Sequence, residues 1–320
     1  MKKLIEIKNL SVEFKGKKHT TYAVNNLSFD IYENETLGLV GESGSGKSVT
    51  AKSILNLLKN KAKYSGEIFY NGLDLLKADE KRLREIRGNE ISMIFQDPMT
   101  SLNPLFTIEK QMYRLIKRHR KNLSAKEIKD ISIKYLDMVG IPDAKNRISG
   151  YPHEFSGGMK QRVMIAMSLC LNPKLIIADE PTTALDVTIQ AQVLTLLNRL
   201  NENNDQSTLL ITHDLGVVAN TCDRVIVLYG GKIMEEASVK EIFENPKHPY
   251  TVGLLASLPT IGEKERLVPI PGNPPVITEK PKGCPFYERC ALRCDKCKDQ
   301  NLPEKQIATN HRIFCHVIGE

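Results

Sequence analysis

Short apolar runs recur along the chain, and each is followed by glycine-rich or polar residues. The run TLGLV at 36–40 precedes a glycine-rich stretch and then a segment whose apolar positions, up to Leu58, lie on one helical face. The runs LIIA at 175–178 and LLIT at 209–212 have the continuous apolar character of buried parallel strands. This pattern predicts an α/β protein in which strands lead into helices.

The composition adds few constraints to this picture. The 320 residues are 41% hydrophobic, enough for a sizeable core in one large or two ordinary domains. The basic N-terminus lacks a secretory signal, and no segment reaches the roughly 18–20 apolar residues needed to cross a bilayer. The net charge is +7, but the basic residues are scattered, which favours solvated surfaces over a site for nucleic acid or an anionic membrane face. We therefore expect a cytosolic protein unless a partner places it on a membrane.

The stretch GESGSGKS at 41–48 fits the phosphate-loop pattern G-x-x-x-x-G-K-[ST]. Glycines let the backbone turn so that successive N–H groups face phosphate oxygens, and the following helix presents its positive end to the same anion. Lys47 can reach the β- and γ-phosphates, and the Ser48 hydroxyl can ligate Mg²⁺. The predicted nucleotide-binding residues here are Gly41, Ser43, Gly44, Ser45, Gly46, Lys47, Ser48 and Val49.

Polar side chains that suit phosphate hydrolysis follow the later strands. Asp179 ends one run, where its carboxylate can hold Mg²⁺ through water, and the adjacent Glu180 can be the general base. His213 follows the next run and can hydrogen-bond the γ-phosphate, and Gln96 follows MIF and can reach the metal or the attacking water. The predicted catalytic residues are Glu180, His213 and Gln96, and the predicted Mg²⁺ site is Ser48, Gln96 and Asp179.

A second anion site is predicted at FSGGMKQR, residues 155–162. Ser156, Gly157 and Gly158 precede an apolar-periodic helix, so they form another helix N-terminus with free N–H groups. More than 100 residues separate this stretch from the phosphate loop. We therefore expect it to serve a different nucleotide or a different subunit.

Taken in order, these motifs together with Asp186 in ALD resemble those of an ABC-type ATPase over roughly residues 4–256. FSGGMKQR looks like that family's signature, with Phe155 where leucine is more usual. The resemblance implies a P-loop NTPase (RecA-like) core, an antiparallel β subdomain and an α-helical subdomain at about 97–162. It also implies a head-to-tail dimer. Each ATP would lie between the phosphate loop of one subunit and the signature of the other, and Asp186 would lie at the dimer interface.

The resemblance implies further site residues. An aromatic side chain should stack on adenine; Phe14 is preferred, and Tyr22 is the alternative. Glu109, Gln111 and Met112 are expected on the surface that grips a membrane partner. No site residue departs from the family's pattern, so we expect a working ATPase that uses ATP and Mg²⁺.

Several features narrow the class of ABC-type ATPase. ABC-type ATPases of DNA repair and chromosome structure carry long coiled-coil insertions, and this sequence has no heptad run of that kind. Those that act in translation carry two ATPase units in one chain, and here there is one. A single unit without a membrane span fits a bacterial-type importer, and a soluble mechanical ATPase is the alternative.

The segments NPKHPYTVGLLASLP at 245–259 and VPIPGNPP at 268–275 closely resemble the C-terminal extension of the oligopeptide/dipeptide importer ATPases, and GESGSGKSVTAKSIL resembles their D-type subunit. This implies an ATP-binding domain at 1–256 and an extension at 257–320. The implied partners are an F-type ATPase in a heterodimer, two permeases and an extracytoplasmic peptide-binding protein, at the cytoplasmic face of the cell membrane. The implied cargo is peptide, and nickel or a metal–ligand complex is the alternative.

Five of the seven cysteines lie in the last 40 residues. Four thiolates can hold Zn²⁺ or a [4Fe–4S] cluster, and spacing alone does not separate the two. The family resemblance implies [4Fe–4S], with Zn²⁺ as the alternative, on Cys284, Cys290, Cys297 and Cys315.

Two further residues could take part in that site. Cys294 could replace Cys297, and His316 is a possible zinc ligand. A structural role for the metal is preferred over redox sensing, because a tail poor in apolar residues lacks a core of its own. Cys170 and Cys222 are expected to be small core residues.

Overall fold

The chain divides into two units. The computed structural model describes residues 1–97, 101–181, 190–195, 197, 206–257, 269–280 and 282–318. One unit, here the N/C unit, joins Met1–Ala78 to Leu210–Glu320, and the other, the middle unit, is Asp79–Leu209. Strand β8 (Ser207–Ile211) crosses the boundary between them.

An antiparallel sheet forms the first part of the N/C unit. Its order is β2-β1-β4-β5, and the strands are β1 (Lys3–Lys15), β2 (Thr20–Tyr32), β4 (Lys63–Tyr70) and β5 (Leu73–Asp74). Apolar residues at nearly alternate positions of β1, such as Ile5 and Ile7, are buried, as expected for a strand with one face on a core.

A second set of strands carries the phosphate loop. Its order within this unit is β11-β12-β10-β9-β3, with β3 (Thr36–Val40), β9 (Arg224–Tyr229), β10 (Lys232–Ser238), β11 (Glu304–Ala308) and β12 (His311–Phe314). The parallel pair of β3 and β9 is buried throughout except at Arg224. Gly230 and Gly231, both with positive φ, form the two-residue hairpin turn between β9 and β10.

The described residues of the N/C unit contain five α-helices. They are α1 (Lys47–Ile54), α7 (Leu215–Thr221), α8 (Val239–Glu244), α9 (Pro249–Ala256) and α10 (Lys296–Asp299). Helix α1 ends earlier than the apolar spacing up to Leu58 predicts. Asn56 adopts a φ of 50° and donates to Ser53 O, while Leu57 N donates to Lys52 O, the pattern of a Schellman motif that stops a helix.

The middle unit is mainly helical. Its described elements are α2 (Glu80–Ile86), β6 (Ile91–Ile94), α3 (Ile108–His119), α4 (Ala125–Met138), α5 (Ala144–Arg147), α6 (Gly157–Leu169) and β7 (Leu175–Asp179). Strands β6 and β7 are parallel and fully buried. Helices α3, α4 and α5 lie within the range 97–162, and α6 extends beyond it to Leu169.

The C-terminal extension is built into the N/C unit and is not a separate body. Strand β12 pairs with β10, with Ile313 opposite Glu235. The Phe286 ring lies 5.2 Å from that of Tyr229 and 5.3 Å from that of Tyr250, centroid to centroid. The segment thus has no core of its own, as expected, and packs into the core of the N/C unit. The predicted boundary at 256/257 lies inside the N/C unit.

His248 makes the stability of this region pH-dependent. Its Nδ1 accepts a hydrogen bond from Tyr250 N at 3.1 Å at the start of α9, and burial lowers its pKa to about 3. The unfolded chain, with a pKa of 6.5, therefore binds a proton that the folded chain does not between about pH 6.5 and 3. As the pH falls through that window, we expect the free energy of unfolding to decrease by up to about 1.4 kcal/mol per pH unit through this residue.

His248→Asn should remove this slope, because asparagine caps a helix without titrating. The measurement is urea unfolding from pH 4 to 7 for the wild type and the variant, with exposed His153→Asn as the matched control. Parallel pH profiles for the wild type and His248→Asn would contradict the assignment.

Candidate nucleotide site

The phosphate loop follows the buried strand β3 and needs glycine at two positions. Gly41 has a φ of 145°, and a Cβ added there would lie 2.1 Å from Leu228 O. Gly46 has a φ of 101°, and its added Cβ would lie 2.5 Å from Ala23 O. At Gly44, by contrast, the added Cβ would meet nothing within 4 Å. The close approach of neighbouring backbone therefore fixes the two end glycines of the loop.

Lys47 lies inside the loop. Its side chain is buried, and its Nζ donates to Gly41 O at 2.6 Å and to Glu42 O at 2.8 Å. No side chain caps the start of α1 at Gly46, so the helix offers its first N–H groups to an anion. Around this core, Ser45 is buried, Ser48 and Val49 are half-buried, and Ser43 is exposed.

The two candidate aromatics for adenine lie on neighbouring strands. Phe14 on β1 is opposite Thr21, and Tyr22 on β2 is opposite Glu13. Because side chains alternate along a strand, Phe14 and Tyr22 point to opposite faces of the sheet. Both are half-buried. Because they lie on opposite faces, only one of them can stack on a given ligand.

His213 is exposed just after β8. The next residue, Asp214, caps α7, because its Oδ1 accepts from Gly216 N at 2.9 Å and from Val217 N at 3.2 Å. The turn that carries His213 is therefore held by the start of the following helix.

Within the middle unit, the structure brings two predicted catalytic residues together. Gln96 Nε2 donates to Glu180 Oε2 at 2.7 Å. Parallel strands β6 and β7 end at the same edge, which places Gln96 near Asp179, the buried last residue of β7. Glu180 has a φ of 49°, in the left-handed region that side chains rarely adopt. Such strain is concentrated at functional sites, and no sequence motif indicates it.

The predicted signature forms the start of α6. Ser156 is its N-cap, and its hydroxyl accepts from Met159 N at 3.3 Å. A Cβ added at Gly157 would meet nothing within 4 Å, while Phe155 is buried. Ser156 therefore uses one of the helix N–H groups that were predicted to be free. The approach to Gly157 is open. Asp186 lies outside the described residues.

The three residues predicted to contact a membrane partner differ in their surroundings. Met112 is fully buried, so its predicted surface role is wrong. Its position on α3 turns toward the interior of the middle unit. Gln111 uses its amide on Asn103 and Phe106, accepting from Asn103 N and donating to both carbonyls. Glu109 forms a 3.1 Å ion pair with Lys129.

The cysteines near the C-terminus lie close to one another. Cys297 and Cys315 are buried, Cys284 and Cys290 are half-buried, and Cys294 is exposed with its Sγ 3.5 Å from that of Cys297. Burial, with the neighbouring thiols, raises the pKa of Cys284 to about 12. Within the described part of the chain, no group of three or more His, Cys, Asp or Glu side chains is arranged to hold a metal ion.

Of the two other cysteines, Cys170 is a buried core residue, as predicted, and Cys222 is half-buried against the core. Burial raises the pKa of both Cys170 and Cys222 to about 12.

None of the described helices is long and apolar enough to cross a bilayer.

Comparisons with known proteins agree with this architecture. The family model described as "ABC transporter" matches residues 24–183, and "Oligopeptide/dipeptide transporter, C-terminal region" matches 234–297. A dimeric post-hydrolysis structure of the ATP-binding cassette MJ0796, bound to ADP and Pi, has a TM-score of 0.67 and 31% identity, over 73% of this chain and 98% of that one. The cbiO1 structure from Clostridium perfringens, part of the ABC transporter complex cbiONQ, has a TM-score of 0.63 and 25% identity, over 77% and 92%.

Curated relatives match nearly the whole chain. The oligopeptide transport ATP-binding protein OppD of Haemophilus influenzae is 49% identical over 97% of this chain and 95% of its own length. The dipeptide transport ATP-binding protein DppD of Bacillus subtilis is 48% identical over 98% and 95%. The ABC-type cassette fold expected from the sequence is confirmed. The chain therefore belongs to the ABC transporter ATPases, among the oligopeptide and dipeptide transport ATP-binding proteins.

Proposed function

We propose that the chain hydrolyses MgATP to power the uptake of dipeptides or oligopeptides across the cell membrane through permease partners. The observation that carries the proposal is the similarity, over 97–98% of the chain, to ATP-binding proteins of oligopeptide and dipeptide transport. The predicted phosphate-loop, Gln96, Glu180 and His213 side chains are all present, which supports an active ATPase.

The N/C unit supplies the groups that bind ATP. The backbone N–H groups of the loop, the start of α1 and Lys47 bind the phosphates. His213 donates a hydrogen bond to the γ-phosphate. Phe14 stacks on adenine, and Tyr22, on the opposite face, is the alternative.

The middle unit supplies the base. Glu180 accepts a proton from the attacking water, and Gln96 orients its carboxylate through the 2.7 Å hydrogen bond. Because Gln96 donates through Nε2, its Oε1 is left as an oxygen ligand.

Ser48, Gln96 and Asp179 would hold the metal ion. They offer a hydroxyl, an amide and a carboxylate oxygen, the ligand class that Mg²⁺ prefers. When bound, Mg²⁺ neutralises the charge that develops on the phosphate oxygens.

The proposed assembly is a head-to-tail pair of ATPase subunits at the cytoplasmic face of the membrane. The partner is an F-type ATPase in a heterodimer, on two permeases fed by an extracytoplasmic peptide-binding protein. Ser156, Gly157 and Gly158 contact the nucleotide that is bound to the partner's phosphate loop, and Asp186 lies at the dimer interface. Support comes from the signature helix start, which is open at Gly157.

We also propose that Cys284, Cys290, Cys297 and Cys315 bind a [4Fe–4S] cluster with a structural role. The chemistry of the donors supports the proposal, because four thiols come from one segment, and Cys297 is buried whereas Cys294 is exposed. Cluster binding requires the thiol side chains to converge and to lose their protons.

Removal of one ligand tests the cluster. Cys284→Ser should lose the metal, whereas Cys294→Ser, the matched control, should keep it. The measurement is anaerobic purification followed by iron, sulfide and zinc analysis and a visible spectrum, with about four irons and four sulfides expected per wild-type chain. One zinc without iron would replace the cluster by a zinc site, and unchanged metal in Cys284→Ser would show that the ligands are misassigned.

Gene deletion with complementation tests the transported cargo. Cells without this protein should lose uptake of a labelled tripeptide and regain it when the wild-type chain is restored. Nickel uptake, measured in parallel, should not change. Loss of nickel uptake with normal peptide uptake would overturn the assignment of peptide as the cargo.

A further inference from the structure

Arg289 links the cysteine-rich tail (residues 283–315) to the phosphate loop. Its Nη1 lies 2.6 Å from Glu42 Oε2, and its Nη2 lies 3.1 Å from Glu42 Oε1, a bidentate pair. Glu42 is the second residue of GESGSGKS. The two residues are 247 positions apart, and no sequence motif connects them.

The guanidinium is fully used. It also donates from Nη1 to Tyr229 OH at 3.0 Å, from Nη2 to Ile270 O at 3.1 Å and from Nε to Pro271 O at 2.8 Å. These three bonds and the pair with Glu42 occupy all five N–H donors of an arginine. The side chain is only 6% exposed. Such a site holds the positive charge in one place, which a flexible surface ion pair does not do.

The backbone of Glu42 forms part of the phosphate-binding structure. Its carbonyl accepts from Lys47 Nζ at 2.8 Å and from Ser45 N at 3.2 Å. Its N–H donates to Tyr250 OH at 2.9 Å. A shift of Glu42 would therefore be transmitted to Lys47, the residue that binds the phosphates.

Glu42 also brings a problem of charge. It places a carboxylate in a loop that binds the polyanionic phosphates of ATP, and like charges at close range disfavour binding. Arg289 supplies the opposite charge at hydrogen-bonding distance from both carboxylate oxygens. The pair makes the loop neutral at this position.

The position of Arg289 is set by the tail itself. Arg289 ends the short helical turn Tyr287–Arg289, between Cys284 and Cys290, and its N–H donates to Phe286 O at 3.0 Å. Its guanidinium lies over the Tyr229 and Phe286 rings, 5.6 and 5.9 Å from their centroids. The folded tail therefore delivers the charge to the loop.

We propose that Arg289 is a positioning residue for ATP binding, which neutralises Glu42 and holds the start of the phosphate loop in place. This role rests on ATP binding alone and is independent of which metal the tail binds. It makes the intact tail a requirement for high affinity for ATP.

Arg289→Gln should raise Kd and KM for MgATP by about tenfold and leave kcat within about twofold, because it weakens binding without touching the reacting atoms. The measurements are calorimetric titration with MgATP and steady-state hydrolysis on the full chain. Arg293→Gln, in the same tail, is the matched control. Arg293 is exposed, donates to Glu288 O at 3.1 Å and should leave Kd unchanged.

A double variant and a charge-conserving variant separate the effect of the charge from an effect on folding. Glu42→Gln combined with Arg289→Gln should restore Kd to within about threefold of the wild type, because the uncompensated carboxylate is gone. Arg289→Lys, which keeps the charge, should also bind ATP within about threefold.

Two results would overturn the proposal. One is an unchanged Kd in a folded Arg289→Gln variant. The other is a double variant that is folded, judged by its Tm, but binds ATP no better than Arg289→Gln alone. If Arg289→Gln does not fold, weak ATP binding by folded Arg289→Lys would overturn the proposal as well.

Discussion

Conversion of Glu180 to glutamine is expected to lower kcat for ATP hydrolysis by about 10²–10⁴-fold, the range that general bases contribute. The glutamine cannot accept a proton from water, yet it has nearly the same size and keeps an oxygen that can accept the 2.7 Å hydrogen bond from Gln96. ATP should therefore still bind, and the proposed dimer should accumulate in its closed form. Steady-state hydrolysis and titration with MgATP measure the two properties separately.

Glu85→Gln is the matched control for this experiment. Glu85 is an exposed glutamate of the same unit, in a surface ion pair with Arg82, and such pairs contribute little. Its kcat should stay within about twofold of the wild type. Substantial residual turnover in Glu180→Gln would show that another group is the base.

Gly46→Ala is expected to weaken ATP binding by about a hundredfold or more, because the phosphate loop can no longer keep its shape. The added Cβ would lie 2.5 Å from Ala23 O, a backbone atom that cannot move aside cheaply, and the φ of 101° is itself strained for alanine. Calorimetric titration with MgATP measures the loss, and Tm shows whether the variant is folded.

Gly44→Ala provides the internal comparison. Gly44 also has a positive φ, of 78°, but an added Cβ meets nothing within 4 Å. The left-handed conformation alone costs alanine about 1–2 kcal/mol, so its Kd should rise by roughly tenfold. Equal losses in the two variants would contradict the view that steric contact with Ala23 makes glycine necessary at position 46.

Features that depend on near neighbours in sequence were predicted well. The run at 175–178 is β7, and the glycine-rich loop between β3 and α1 has the backbone that its glycines suggest. In these segments the residues that form the element also determine its conformation. The early end of α1 is the exception, since the left-handed Asn56 outweighs the apolar spacing.

Features that depend on distant pairing were missed. Nothing near Glu42 indicates Tyr250 or Arg289, which lie 208 and 247 positions away. The sequence does not show that Phe286 in the tail packs on Tyr229 of β9 and Tyr250 of α9. The sequence does not show that Met112 lies on the buried face of α3, because that depends on the helices packed around it.

The central claim is that ATP hydrolysis by this chain powers peptide uptake. The most direct measurement is uptake of a labelled tripeptide by cells in which the wild-type chain is replaced by Glu180→Gln or by Glu85→Gln. We expect uptake to be lost with Glu180→Gln and retained with Glu85→Gln at equal amounts of protein. Normal peptide uptake by cells that contain only Glu180→Gln would contradict it.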